Sequence, residues 1–143
     1  LEKIPDGAIV AIQDAVRPLV SEDLIRRMVT RMDEAQALVP VVPMVDTLKV
    51  LIRDEGGELH PVAGASADRS SLYGAQTPQL FRSEDLKAAY AQAYDRSFTD
   101  DASVAEKKGI PLSYIEGERF NLKITTPDDL RIAEAILALT GGK

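Results

Sequence analysis

The stretch Ala8-Ile9-Val10-Ala11-Ile12-Gln13-Asp14-Ala15-Val16-Arg17-Pro18 sets the fold class. Its first five residues form an unbroken apolar run, which predicts a strand buried on both faces of a sheet. The run ends in a carboxylate, a guanidinium and a chain-stiffening proline. In open α/β sheets, ligands bind beyond the carboxyl ends of the strands. Asp14 and Arg17 therefore stand where a charged pair could meet an anionic substrate and its metal ion. The same two residues could instead cap the strand and pair with each other, and the segment by itself leaves both readings open.

Outward from this stretch, Ser21 is placed to cap a helix, with Glu22 and Asp23 in a first turn where the backbone dipole favours anions. Leu24, Ile25, Met28, Val29 and Met32 follow helical spacing and predict its buried face. Ala37 to Val42 is apolar and β-branched and predicts a strand, which Pro40 and Pro43 push toward a sheet edge or an irregular path. Thr47 to Arg53 and Glu58 to Val62 flank the turn Asp54-Glu55-Gly56-Gly57 and predict a hairpin. An isolated hairpin is marginal in water. This one is expected to project and pack on something, either a partner subunit or its own domain.

Ser83 is expected to cap a second helix with Leu86, Ala89, Tyr90, Ala93 and Tyr94 on one face. Thr99 is expected to cap a third, with Asp100 and Asp101 in its first turn and Gly109 at its stop. Leu112 to Ile115 predicts a short strand, and Asn121 to Ile124 is a candidate for another. Thr126-Pro127-Asp128-Asp129 opens a last helix that buries Leu130, Ala133, Ile136 and Leu137 and closes at Gly141 and Gly142. Strands and helices alternate around one inserted hairpin, which predicts an α/β fold with a largely parallel sheet. The strands are few for the number of helices, and the first residue is Leu1 rather than Met. Both features lead us to expect a piece of a longer polypeptide.

A chain of 143 residues suits one domain with a real core. Hydrophobic residues make up 45% and charged residues 28%, the balance of a soluble globular protein. No apolar run approaches the ~20 residues of a membrane span, and no signal-peptide pattern opens the chain, so no membrane partner is expected. The absence of cysteine removes disulfides, thiolate catalysis and cysteine-based zinc sites, and fits a cytoplasmic protein. A net charge of −6 argues against sequence-independent binding to nucleic acid. Any anionic ligand must then be held by a few local cations. The sole histidine, His60, lies in the predicted hairpin and is expected at the surface rather than in catalysis.

Polar residues recur at element boundaries: Asp14/Arg17, Thr47/Lys49, Asp68/Arg69, Gln76-Thr77-Pro78-Gln79, Thr99-Asp100-Asp101 and Asn121-Leu122-Lys123-Ile124-Thr125. Binding residues concentrate on loops carried by a rigid sheet, although each station alone would serve equally as a cap, a turn or a surface pair. Taken in order, the segments Asp14-Ala15-Val16-Arg17-Pro18, Asp46-Thr47-Leu48-Lys49, Asp68-Arg69-Ser70-Ser71-Leu72 and Gln76-Thr77-Pro78-Gln79-Leu80-Phe81 are joined by Thr99-Asp100-Asp101-Ala102-Ser103-Val104-Ala105-Glu106 and Asn121-Leu122-Lys123-Ile124-Thr125. This set resembles the C-terminal part of the 2-C-methyl-D-erythritol 4-phosphate cytidylyltransferase family, from about Ile9 to Leu137. The family's glycine-rich CTP loop has no counterpart here, and neither a G-x-G-x-x-G nor a Walker A sequence occurs. Gln13 stands where relatives commonly carry histidine, with little consequence expected.

The resemblance implies a Rossmann-like nucleotidyltransferase fold, incomplete at its N-terminus. Residues 1–143 would form the C-terminal part of one domain, with 46–70 as a projecting hairpin arm. It implies transfer of CMP from CTP to 2-C-methyl-D-erythritol 4-phosphate, with release of pyrophosphate, in non-mevalonate isoprenoid precursor biosynthesis. Carried over position by position, Arg69 and Lys123 would grip and aim the sugar phosphate as catalytic residues. Asp14, Arg17, Thr47, Thr77 and Thr99 would line the same substrate. Asp14 would contact Mg²⁺ or another divalent cation, or would instead bond only to substrate hydroxyls. The hairpin would exchange between the subunits of a homodimer, so that Thr47 and Arg69 serve the neighbour's site. Two other readings are a pentitol-phosphate cytidylyltransferase, acting for example on ribitol 5-phosphate, and, for these 143 residues alone, a non-catalytic module that binds sugar phosphate and dimerises. The isolated 143 residues are expected to be inactive.

Overall fold

A computed structural model describes residues 1–140. The elements run β1 (Ile9–Ile12), α1 (Glu22–Arg31), β2 (Ala37–Pro43), β3 (Leu51–Arg53), β4 (Leu59–Pro61), β5 (Tyr73–Ala75), β6 (Gln79–Arg82), α2 (Ser83–Tyr90), α3 (Asp101–Lys107), β7 (Leu112–Glu116) and α4 (Pro127–Thr140). The glycine stop expected at Gly141 and Gly142 lies outside the described residues. Asn121 to Ile124, the candidate for a further strand, is loop.

The α/β class stands, but the sheet is mixed rather than largely parallel. Its order is β1-β6-β2-β5, with β7 against β2. The β2–β7 pair is parallel, whereas β1–β6, β2–β6 and β2–β5 are antiparallel. Two antiparallel steps give β1 and β2 the same sense, as the intervening α1 requires. β6 is inserted between them in the opposite sense, which makes both contacts antiparallel. Helix alternation in the sequence reports the first relation and is blind to the second.

β2 is central, not an edge. Pro40 is accommodated because β6 pairs with Ala37 and Leu38, β5 pairs with Val41 to Pro43, and the proline falls in the gap between them. In a strand the N–H and C=O of one residue point to the same side. The Pro40 carbonyl accepts the Gln76 N–H at 2.8 Å in that gap, and the side on which proline lacks an N–H faces the gap rather than β7.

Period-two alternation sends Ala37 and Phe81 to one face and Leu38 and Leu80 to the other. Phe81 packs with Leu86 and Ala89 of α2 and with Val104 and Ala105 of α3. Leu38 and Leu80 pack with Leu24, Met28 and Met32 below them. The result is three layers, with α1 on one side of the sheet and α2 and α3 on the other. The expectation that β1 is buried on both faces fails: Ile9 and Ala11 are exposed, and Val10 and Ile12 are half-buried. Among the described residues, β1 has β6 as its one strand partner, and α2 and α3 cover one face only. On the other face, Ile9 and Ala11 line an open groove of about 270 Å³ with Ile25, Val29 and Leu80. Ile25 and Val29, expected in the core, are exposed along this groove for the same reason.

Helix termini follow the expected chemistry with shifts. Ser21 caps α1, its Oγ accepting the Leu24 N–H at 3.0 Å. α2 begins at Ser83 itself, without a side-chain cap. Ser83 Oγ accepts the Ala8 N–H at 3.2 Å instead, tying α2 to the start of β1. α2 ends at Tyr90, so Ala93 and Tyr94 leave the predicted face, and Tyr90 and Tyr94 are exposed. The cap of α3 is Asp100 rather than Thr99. Asp100 Oδ1 accepts the Ser103 N–H at 2.8 Å, and Ser103 Oγ accepts the Asp100 N–H at 3.1 Å, a reciprocal capping box. Gly109 stops α3 with φ +86°, a conformation that favours glycine.

The arm is a short antiparallel pair, β3 with β4, closed by Gly57 at φ +88°. Every residue from Leu51 to Pro61 is exposed, His60 among them as expected. The main-chain N–H of Met44 donates to Leu72 O at 3.2 Å, and Pro43 faces Tyr73, so the arm leaves and rejoins the sheet at one rung.

α4 buries only Ala133 among its described residues; Leu130 and Leu137, expected in the core, are exposed. The start of α4 is held by Asp129, whose Oδ2 accepts the Thr125 N–H at 3.0 Å and the Thr126 N–H at 2.8 Å, together with both threonine hydroxyls. These bonds, the Thr125 N–H foremost, lower its pKa to about 2 from an ordinary 3.8. The folded-state value lies below the unfolded one. This contribution is therefore full at neutral pH and is lost as pH falls from about 4 toward 2. The difference in melting temperature between the wild type and Asp129→Asn should close across that window. A difference independent of pH would contradict the assignment.

Candidate functional site

The segment after β1 turns tightly, with the Arg17 N–H donating to Asp14 O at 3.0 Å. The Asp14 N–H donates to Thr77 Oγ1 at 2.9 Å, which fixes this turn against the segment between β5 and β6. Asp14 Oδ2 receives two cations: Arg17 Nε at 3.3 Å and Lys123 Nζ at 3.1 Å. Asp14 and Arg17 do pair with each other, and a second, mobile-stemmed cation from another loop shares the same oxygen. Three charges sum locally to +1 in a chain whose total is −6. The Arg17 side chain is 11% exposed and that of Lys123 is 48% exposed, so the arginine is framework and the ammonium faces outward.

Arg17 is held at its other end by main-chain carbonyls. Nη1 donates to Asn121 O at 2.7 Å and Nη2 to Ala75 O at 3.5 Å. The Ile124 N–H donates to Val16 O at 2.8 Å, bringing the Lys123 segment alongside the Asp14 turn. The buried amide of Asn121 donates from Nδ2 to Thr77 O at 2.8 Å. The buried amide of Gln79 donates from Nε2 to Asp100 Oδ2 at 2.8 Å, and its Oε1 accepts the Ala102 N–H at 2.8 Å. That pair fastens the turn bearing Thr99, an exposed residue whose N–H donates to Ser103 Oγ at 2.9 Å.

Asp14, Arg17, Thr77 and Lys123 are therefore brought together within one chain, and Thr99 is tied to the same platform through Gln79. Thr47 and Arg69 are not. Arg69 stands in a 3-10 turn at Arg69–Ser71, and its Nη1 donates to Val45 O at 2.6 Å. Thr47 is exposed at the base of the arm. Among the described residues, no hydrogen bond or ion pair joins either of them to the Asp14 cluster.

Asp14 is the carboxylate of this cluster that could hold a divalent cation. Both of its protein ion pairs use Oδ2, which leaves Oδ1 outside them. A single carboxylate fits magnesium, which is usually held by one or two carboxylates plus substrate phosphates. A separate group, Asp54, Glu58 and His60, gathers at the exposed turn of the arm. There His60 Nε2 lies 2.8 Å from Asp54 Oδ2, and this bond is the main cause of the lowered Asp54 pKa. Gln76, Gln79 and Asn121 stood in the quoted strings without being assigned to the site. A buried amide and an exposed one look alike in sequence, so no signal marked them.

Chain-wide comparison gives a consistent picture. The family model described as "2-C-methyl-D-erythritol 4-phosphate cytidylyltransferase" matches residues 1–139. A 2-C-methyl-D-erythritol 4-phosphate cytidylyltransferase of Bacteroides thetaiotaomicron is 43% identical, over 90% of this chain and 55% of the relative. One from Bacillus velezensis is 41% identical, over 99% of this chain and 60% of the relative. The crystal structure of the Thermus thermophilus enzyme of the same name superposes with a TM-score of 0.72 at 33% identity, over 90% of this chain and 61% of that one. The chain thus spans a little over half the length of these relatives. No helix of the described residues is long and apolar enough to cross a membrane.

Proposed function

The chain belongs to the 2-C-methyl-D-erythritol 4-phosphate cytidylyltransferase family, and on that premise we propose that it supplies the sugar-phosphate half of such an enzyme. The complete enzyme would join CMP from CTP to methylerythritol phosphate and release pyrophosphate. The observation that carries this reading is the convergence of Arg17 and Lys123 on Asp14 at the carboxyl end of β1. The nucleotide loop is absent from these 143 residues, so activity is assigned to the complete enzyme and not to this segment alone.

The step is an in-line displacement. A phosphate oxygen of the sugar phosphate forms a bond to the α-phosphorus of CTP. The bond from that phosphorus to the bridging oxygen breaks, and pyrophosphate leaves with the electron pair. A phosphomonoester has its second pKa near ~6 and is largely dianionic at neutral pH. No protein base is needed to create the nucleophile, which suits a site without histidine or cysteine. The work left to the protein is to bring two polyanions together and stabilise charge between them. Lys123, outward-facing and sharing one carboxylate oxygen with Arg17, is suited to grip the sugar phosphate. Arg17, anchored to two carbonyls, keeps Asp14 and the Lys123 loop in place. Thr77 and Thr99 offer hydroxyls on the adjoining turns.

A divalent cation held by Asp14 would neutralise nucleotide phosphates when bound. Thr47 and Arg69 lie apart from the cluster, which favours a homodimer in which the arm of one subunit brings them to the other's site. Arg69 beside Lys123 would then raise the local positive potential in an otherwise acidic protein. A cytoplasmic setting accords with a chain free of cysteine.

The direct test supplies the complete enzyme with CTP, Mg²⁺ and either methylerythritol phosphate or ribitol 5-phosphate, and follows pyrophosphate release. Turnover with clear preference for methylerythritol phosphate is expected. Preference for ribitol 5-phosphate would shift the assignment to the pentitol-phosphate enzymes, and no turnover with either would refute it.

A further inference from the structure

We propose that Gln76, seated on Gly117, is a positioning residue that sets where the Lys123 loop stands; the proposal rests on the sugar-phosphate reading of that loop. Lys123 lies in a segment, 117 to 126, that has neither helix nor strand. Such a backbone needs other partners for its polar groups. Gln76 provides them by imitating a peptide unit. Its Nε2 donates to Glu118 O at 2.8 Å and to Asn121 O at 3.3 Å, and its Oε1 accepts the Glu118 N–H at 3.1 Å. The same Asn121 carbonyl receives Arg17 Nη1 at 2.7 Å. One buried amide is therefore linked through one carbonyl to the guanidinium that shares Asp14 with Lys123.

Gly117 is the second, independent observation. Its φ is not positive, so backbone conformation does not explain a glycine there. Space does. A Cβ at this position would stand 2.4 Å from Gln76 Oε1 and 3.3 Å from Val41 O. A side chain at 117 requires the end of the Gln76 side chain to shift, because the Gly117 N–H is itself bonded to Val41 O at 2.8 Å and holds the backbone in place. Gln76 is 5% exposed and Asn121 is fully buried. An amide displaced within such a site loses its bonds without gaining water. The Asn121 amide acts as a donor, with Nδ2 on Thr77 O at 2.8 Å and on Gln76 Oε1 at 3.5 Å, and among the described residues its Oδ1 has no partner. Asn121 thus adds a second tie from the loop to the same segment, beside the three bonds of Gln76.

Two measurements on the complete enzyme test this. Gln76→Ala and Gly117→Ala should each raise KM for methylerythritol phosphate or lower kcat, reducing kcat/KM by roughly ten- to hundred-fold, as misplacement of a binding group does. KM for CTP should move much less, since Asp14 keeps its own bond to Thr77 Oγ1 when the loop shifts. Placed in a Lys123→Ala background, Gln76→Ala should cost little more, because its effect passes through Lys123. Equal loss in both backgrounds, or a matching loss for CTP, would mean a merely structural role and overturn the proposal. Amide hydrogen exchange gives a readout independent of activity. In Gln76→Ala, the Glu118 and Ile124 amides should exchange about ten-fold faster or more, while β2 and β6 amides keep their protection. Unchanged protection at Ile124 would overturn the proposal even if activity fell. Faster exchange in a protein with no cytidylyl transfer would uphold the latch and refute the enzyme reading.

Discussion

Lys123→Ala in the complete enzyme is expected to lower kcat/KM for cytidylyl transfer by roughly 10²- to 10³-fold, the scale of losing one preorganised donor where charge develops. The variant should fold normally. Lys123 is 48% exposed on its side chain, and its removal leaves Asp14 paired with Arg17 at 3.3 Å. No buried charge is orphaned, so the melting temperature should move little. Lys123→Arg restores the charge and should recover part of the rate. Arg17→Ala would be a poorer probe, because it also strips the Asn121 and Ala75 carbonyls of a donor. An unchanged kcat/KM in Lys123→Ala would remove this side chain from the machinery.

The second large effect is a restoration. Arg69→Ala alone should be as damaging as Lys123→Ala if a neighbouring subunit carries Arg69 into the site. Mixing the two inactive proteins under exchanging conditions should then return activity. A heterodimer would hold one site with both cations intact and one lacking both. Random pairing of equal amounts would make half the dimers hetero, and so recover roughly one quarter of the wild-type rate. Recovery in the mixture assigns the two cations to different chains. Absence of recovery despite demonstrated subunit exchange would place both in one chain. Among the described residues, Arg69 bonds to Val45 O within its own arm and has no bond to the Asp14 cluster.

The legible and illegible parts of the molecule divide along a physical line. Ser21, Gly57, Gly109 and the run Leu112 to Ile115 act through neighbours a few residues away, and each does what its local chemistry predicts. The sense of the sheet was not legible, because β6 enters between β1 and β2 from 67 residues beyond Ile12. Pro40 was misleading for the same reason: its tolerance depends on where two distant strands change over. Asp14, Arg17, Thr77 and Lys123 were singled out because the strings that carry them resemble one family, and the structure brings these four side chains together. Gln76 and Gly117 were not. An amide announces neither its burial nor its partners, and a glycine that serves packing carries no turn signature. The cap expected at Thr99 falls one position on, at Asp100, a shift of the size usual at helix starts.

The arm's departure and return at one rung, Pro43 opposite Tyr73 with the Met44–Leu72 bond just beyond, separates two kinds of change. Residues 45 to 71 can lengthen, shorten or be replaced wholesale without asking the main sheet to shift by a single register. Change in that excursion can thus alter what Thr47 and Arg69 reach while the register that holds the Asp14 cluster stays as it is. For the engineer it is a splice point: a foreign arm inserted there would test new pairings on an unaltered platform.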